Sequence, residues 1–408
     1  MILKNIFKLL SMLLLAPGCT TEQTEQHPNR LHFFQDEDRA ILVPVTINDS
    51  VMAITLFDTG ASNTRVQLDS TFCAEHPLPA WENPIASTKG YLTGWAKKED
   101  PKVTRTTYKQ PLTINMCGVD MEFDSFYTQD NSNCVGKFEA CFSFSAKDTT
   151  HVWELNFEKN YMEPHPSQDF TMPENCRVFP LIAIGHWDMG VRFPMTVTCE
   201  NGDTISVDQE YLIDTGMLSD LALTEASQAY PFFDKREDVV LVRNNRNNKR
   251  YNVSAEVFDG VRLDDMRIYL NDGSFMLTNT GVKGIIGLNF LKRFNVFFDL
   301  SKRQIGFQPI TGFKRTVNYN AGRLYIDTQP APDGKTSTVT KVWDVPDNPY
   351  REAGMQVGDI ITAVNGVKLQ DDTRENTEPI HRSKTRTMDI IRAGKQMTLT
   401  VHLKELGE

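Results

Sequence analysis

The sequence predicts a mainly β protein: two β-barrel lobes in one chain, followed by a small α+β domain. Three observations predict it. LFDTGASNT (56–64) returns as LIDTGMLSD (212–220), each copy directly behind an apolar strand. A strand, a polar turn and a second strand precede both copies. In the first they are ILVPVTI (41–47), Asn48-Asp49-Ser50 and VMAITLF (51–57); in the second, FPMTVTC (193–199), Glu200-Asn201-Gly202-Asp203 and a strand region ending in YLI (211–213). From about Phe313 the pattern changes, with no further Asp-Thr-Gly and no cysteine. The first two observations define an internal repeat of 156 residues, measured from Asp58 to Asp214.

With 408 residues and 40 % hydrophobic content, the chain has room for several domains with ordinary cores. A formal charge of −10 leaves no broad basic surface, so nucleic acid is not an expected partner. The opening MILKNIFKLLSMLLLAPGC pairs two lysines with an apolar run too short to span a bilayer, the layout of an export signal over 1–18. Ala16-Pro17-Gly18-Cys19 resembles the lipobox of bacterial lipoproteins, departing from it at Ala16 and Pro17. The resemblance implies a lipid anchor on Cys19 and a place in the periplasm or outer membrane, with plain secretion and a retained anchor as alternatives. The polar stretch up to residue 39 reads as a tether.

The first lobe is expected over 40–190 and the second over 191–312. Downstream of each Asp-Thr-Gly an apolar strand ends in Ile-Gly: PLIAIGHWDMGVRF (180–193) in the first, GIIGLNFLKRFNVFFDL (284–300) in the second. The unequal gaps from each triplet to Gly185 and Gly287 predict an insertion in the first lobe, at about 97–176. After Cys19, six cysteines remain; disulfides are permitted, fifteen pairings are possible, and free buried thiols stay open as the alternative. No Cys-x-x-Cys occurs and the histidines are scattered, so zinc is not expected.

The doubled triplet, each behind an apolar strand and followed by an apolar Ile-Gly segment, resembles the aspartic peptidases, closest to their retropepsin-like branch, over about 40–312. The resemblance implies acid-protease-like lobes whose two loops meet, with Asp58 and Asp214 as the catalytic pair. Two carboxylates about 3 Å apart cannot both ionise, so one serves as base while the other, protonated, serves as acid. Such chemistry needs no metal or other cofactor. Gly60 and Gly216 would let the loops approach, Thr59 and Thr215 would tie each loop to the opposite backbone, and Ser62 offers a hydroxyl to the pair. Both half-sites lie in one chain, so a monomer is expected. Met217 and Leu218 depart from the small or hydroxylated residues usual after the triplet, which leaves a non-catalytic peptide-binding receptor as the alternative function.

STKGYLTGWAKK (87–98) is the candidate flap over substrate, with Gly90 and Gly94 around Tyr91; an ordinary surface hairpin is the alternative. VRNNRNNKRYNV (242–253) holds the corresponding place in the second lobe.

In the last domain, 313–408, NPYREAGM (348–355) reads as a short helix, GDIITAVNG (358–366) as a strand closing on a turn, SKTRTMDIIRAG (383–394) as a helix with a positive face, and MTLTVHL (397–403) as a strand. Ala353-Gly354, Gly358-Asp359 and Asn365-Gly366 occur in the order found in PDZ domains of bacterial proteases, which this segment resembles. That resemblance implies docking of a peptide or protein C-terminus as an added strand, with Gly322, Leu324 and Ile326 in the receiving loop and strand. The expected protein is an exported aspartic endopeptidase acting on extended polypeptides.

Overall fold

The computed structural model describes residues 29–33, 40–76, 84–91, 102–130, 138–237, 241–243, 248–271, 280–313, 325–331, 335–342, 348–371 and 383–403. The expected export signal, Cys19 and most of the expected tether lie outside the described residues, as do Gly94, Gly322 and Leu324. The chain is mainly β, and among the described residues its strands form four sheets.

The two repeat units build the same pattern. In the first, Ala140–Phe142 runs parallel to Val51–Phe57 and antiparallel to Arg65–Asp69, which runs parallel to Ser125–Gln129. In the second, Gly284–Gly287 runs parallel to Thr204–Asp214 and antiparallel to Leu221–Thr224, which runs parallel to Val261–Asn271. Alternation supplies the reason for the hairpins. In Leu42–Ile47 and Val51–Phe57 the residues Val43, Val45, Ile47, Ala53 and Phe57 point into the core, and Asn48 and Asp49 turn the chain at positive φ, which these residue types tolerate.

This pairing corrects the expected partner of the first triplet. The segment 180–193 belongs to the second unit: Ile182–Ile184 pairs with Trp187–Cys199 in the eight-stranded sheet, and Gly185 turns between them at φ +62°. That sheet therefore begins ahead of residue 191. An apolar strand stopped by glycine describes a hairpin turn as well as it describes the strand beneath an Asp loop. The true counterpart of Gly287 is Ser143, one residue beyond the Phe142–Phe57 pair. The gaps then become 85 residues from Asp58 to Ser143 and 73 from Asp214 to Gly287, and the large insertion disappears.

The chain assigned to that insertion has two destinations. Lys102–Tyr108, Leu112–Met116, Val119–Phe123 and Ser125–Gln129 join the nine-stranded sheet of the first unit. His151–Asn156 and Tyr161–Pro166 join Phe294–Asp299 and Gln304–Pro309, with Arg177–Pro180 just beyond the expected insertion, in a six-stranded sheet that bridges the two units. His151–Asn156 and Phe294–Asp299 are buried along almost their whole length, so they lack the polar alternation that marks a strand in sequence. One hydrophobic core runs through both units and this central sheet. Residues 30–33 are not tether: Leu31–His32 is the edge strand on Tyr161–Pro166, Phe33 is buried, and Arg30 donates to Glu163 at 2.7 Å while covering the Tyr161 ring.

The last domain has a separate core around Val339, Tyr350, Met388 and Val401. The short helix Pro349–Glu352 is capped by Asn348, and Ile360–Val364 is a strand, both as read. The second helix is not formed: Thr385–Arg392 is a strand paired with Lys395–His402 across a turn at Ala393 and Gly394, both at positive φ. Arg386, Met388 and Ile390 are buried at period two, and Arg392 is paired with Asp359, so no positive helical face exists there. Cys73, Cys117, Cys141, Cys176 and Cys199 are free thiols. Among the described residues no helix is long and apolar enough to cross a membrane.

Candidate active site

The strands Val51–Phe57 and Thr204–Asp214 deliver the two triplets to one place. Thr59 Oγ1 donates to the carbonyl of Ile213 at 2.9 Å, and Thr215 Oγ1 donates to that of Phe57 at 2.9 Å. Each hydroxyl also accepts from the opposite threonine's amide, at 3.0 Å from Thr59 N and 3.1 Å from Thr215 N. All four bonds are buried and each joins one repeat unit to the other. The two loops are thus locked at a fixed separation by donors and acceptors that have no water to turn to.

The separation is small. A Cβ on Gly60 would lie 2.6 Å from Asp214 Cγ, and one on Gly216 would lie 2.5 Å from Asp58 Cγ. Each carboxyl therefore packs on the opposite glycine. Asp58 Oδ1 accepts from Gly60 N at 2.8 Å, Asp58 Oδ2 faces the Cys141 thiol at 3.7 Å, and Asp214 Oδ1 accepts from Met217 N at 2.9 Å. Burial raises both pKa values. For Asp58 the hydrogen bonds from Asp214, Gly60 and Cys141 work against that rise; for Asp214 the charge of Asp58 adds to it and carries it well above the usual carboxylate range. The pair consequently holds one proton across a broad pH interval.

Ser62 does not reach the carboxyls; its hydroxyl lies 3.2 Å from that of Thr64 in an exposed turn. Met217 does not disrupt the second loop, because its contribution to Asp214 is a backbone amide while its side chain belongs to a buried cluster that includes Ile184, Trp187 and Ile285. The apolar strand below supports this loop through Gly287 N to Asp220 O at 2.9 Å and Leu288 N to Met217 O at 2.6 Å. Buried Asp220 is held in turn by Arg293 at 3.3 Å and by the Arg267 amide at 3.1 Å. Sequence reasoning missed Asp220, Arg293 and Cys141.

The flap candidate begins as a strand: Ala86–Tyr91 pairs with Lys102–Tyr108, and its tip with Gly94 lies outside the described residues. Arg105 lies against Gly90, donates to Gln129 at 2.8 Å and sits 5.1 Å from the Tyr127 ring. Leu241–Arg243 and Asn248–Val257 form the equivalent hairpin of the second unit. In the last domain Ile326 is buried in the strand Ile326–Pro330, with its side chain in that domain's core. Away from the loops, Glu154, Glu163 and His165 have ligand atoms within 4.8 Å of one another. Their oxygens already accept from Asn156, Tyr161, His165 and Arg30, so the group reads as an ion-pair network fastening the N-terminal strand.

No family model matches the chain, and no curated protein matches it. Among solved structures it is similar to the aspartic proteinase from Irpex lacteus, with a TM-score of 0.41 at 12 % identity over 67 % of this chain and 95 % of that one. A likeness at this level carries no argument about activity.

Proposed function

We propose that this chain is an aspartic-type endopeptidase that hydrolyses peptide bonds through Asp58, Asp214 and a water held between them. One observation carries the reading. Two half-buried carboxyls are held together by a reciprocal threonine lock that spans the two repeat units. Nothing about stability calls for this, since two adjoining carboxyls partly withdrawn from water weaken a fold and a matched pair of proton carriers is what amide hydrolysis needs.

Ionised Asp58 takes a proton from the water as its oxygen attacks the peptide carbonyl carbon. Protonated Asp214 passes its proton to the carbonyl oxygen as charge develops there. In the second half Asp58 gives its proton to the amide nitrogen while Asp214 recovers one from the tetrahedral carbon's hydroxyl. The C–N bond breaks, and the pair returns to its starting state. The hairpin that starts at Ala86–Tyr91 would close over the substrate. Export, a lipid anchor on Cys19 and peptide docking by the PDZ-like last domain complete the proposal, and they rest on the sequence motifs that suggested them.

A peptide-library digest read by mass spectrometry tests the reading on wild type, Asp58→Asn and Asp214→Asn. Wild type is expected to cut; each variant is expected to be folded and inactive. Turnover retained by either variant removes the mechanism, and a folded wild type that cuts nothing leaves the peptide-binding receptor.

A further inference from the structure

Asp58 and Asp214 occupy equivalent positions in the two units, so what makes them chemically different must come from residues that break the repeat. Strand register identifies those residues. Across the first unit the chain places Leu56 beside Cys141, Cys141 beside Gln67, and Gln67 beside Tyr127. Across the second it places Leu212 beside Ile285, Ile285 beside Ala222, and Ala222 beside Tyr269. Cys141 and Ile285 are therefore counterparts, each two residues before the residue that faces its aspartate. Asp58 meets a thiol donor at 3.7 Å from Oδ2, whereas the position equivalent to it near Asp214 carries an apolar side chain that is 1 % exposed.

We propose that Cys141 is a positioning residue that fixes the negative charge of the pair on Asp58 and thereby leaves the shared proton on Asp214. The inference rests on the peptidase reading for its consequence in catalysis, though not for the hydrogen bond itself. An S–H donor stabilises a carboxylate more than a carboxylic acid, and it does so only on the side where it stands. The residue after each triplet, Ala61 or Met217, has no hydroxyl to supply such a donor, and Ser62 is turned to Thr64. Asp58 thus receives a side-chain donor that the second unit does not repeat. A buried thiol can do this without adding charge.

Tyr127, on the strand beyond Gln67, donates to Gln67 at 2.7 Å, and burial pushes its hydroxyl up to about 12. Arg105 and Arg65 are the positive groups that act on Tyr127. Asp214 is the carboxyl that faces Asp58 and titrates together with it.

The test is a titration of the full chain labelled with carbon-13 at aspartate carboxyls, in wild type, Cys141→Ala and Cys141→Ser, with the Asp58→Asn and Asp214→Asn spectra assigning the pair. Thermal unfolding confirms that each variant is folded. Cys141→Ala is expected to raise the lower of the two midpoints by about 0.5–1 pH unit. Cys141→Ser, which keeps a donor, is expected to hold it at or below the wild-type value. The acid limb of kcat/KM should move with the lower midpoint, so that well below the optimum Cys141→Ala loses about three- to tenfold in rate. An unchanged lower midpoint in Cys141→Ala overturns the proposal, and so does an equal shift in both variants, which would mark a packing effect. Because the titration requires no turnover, a chain that cuts no peptide but shows the shift sinks the peptidase reading alone. A chain that cuts peptide with midpoints unmoved sinks the thiol alone.

Discussion

Replacing Gly216 with alanine places a methyl carbon 2.5 Å from Asp58 Cγ, and Gly60→Ala places one 2.6 Å from Asp214 Cγ. Non-bonded carbons settle at about 3.5–4.0 Å, so roughly 1 Å of room must be found. The backbone does not resist the change, since neither glycine is at positive φ. The loops cannot part either, because the four threonine bonds hold them. The carboxyl gives way, and a displacement of about 1 Å at a reacting group costs on the order of 10²-fold in rate. Overpacking of this kind should also destabilise by about 1–3 kcal/mol. The contact is specific, which a double-mutant cycle exposes. In an Asp58→Ala background the methyl of Gly216→Ala has nothing to strike, so its cost should fall below about 0.5 kcal/mol. Thermal unfolding of the four proteins gives the coupling, and kcat of the single variant gives the rate. Equal destabilisation in both backgrounds, or an alanine variant with wild-type kcat, would refute the geometry.

Thr59→Val removes the acceptor for Thr215 N and the donor to Ile213 O, so it should destabilise by about 2–5 kcal/mol in thermal unfolding, while Thr59→Ser, which keeps the hydroxyl, should stay within about 1 kcal/mol. A valine variant that melts with wild type would show that the lock contributes nothing. Asp214 binds its proton more tightly folded than unfolded, so its contribution to stability is full below the unfolded pKa and is lost as pH rises through the folded one. Melting temperature should therefore decline from about pH 4 towards pH 8 in wild type and decline less in Asp214→Asn; parallel curves would contradict the raised value. With both midpoints raised by burial, kcat/KM should follow a bell with its maximum at about pH 5–6, and a maximum near pH 2 would refute it. Deleting 313–408 should weaken cleavage of proteins more than of short peptides, and equal losses would assign the last domain a bracing role instead.

Local chemistry was legible from the chain alone. Two Asp-Thr-Gly turns behind apolar strands are short-range patterns, and so are the hairpins before them, because alternation and turn residues act over a few positions. The reciprocal threonine bonds connect residues 156 apart, yet the repeat made them foreseeable, since each half is written identically. Tertiary structure decided what no short window contains. Ala140–Phe142, and not the segment ending at Gly185, lies beneath the first loop, and a three-residue strand buried on both sides has no period to betray it. Thr385–Arg392 became a strand although Gly394 just beyond it suggested a helix end, because Arg386, Met388 and Ile390 are buried together at period two against a neighbouring strand. The six-stranded sheet draws on residues from 31 to 309, a span no local pattern covers. Cys141 is the sharpest case. In sequence it is one of six cysteines after Cys19, and only the parallel register with Leu56 places its sulfur beside Asp58, because sheet pairing converts a separation of 83 residues into a contact of 3.7 Å.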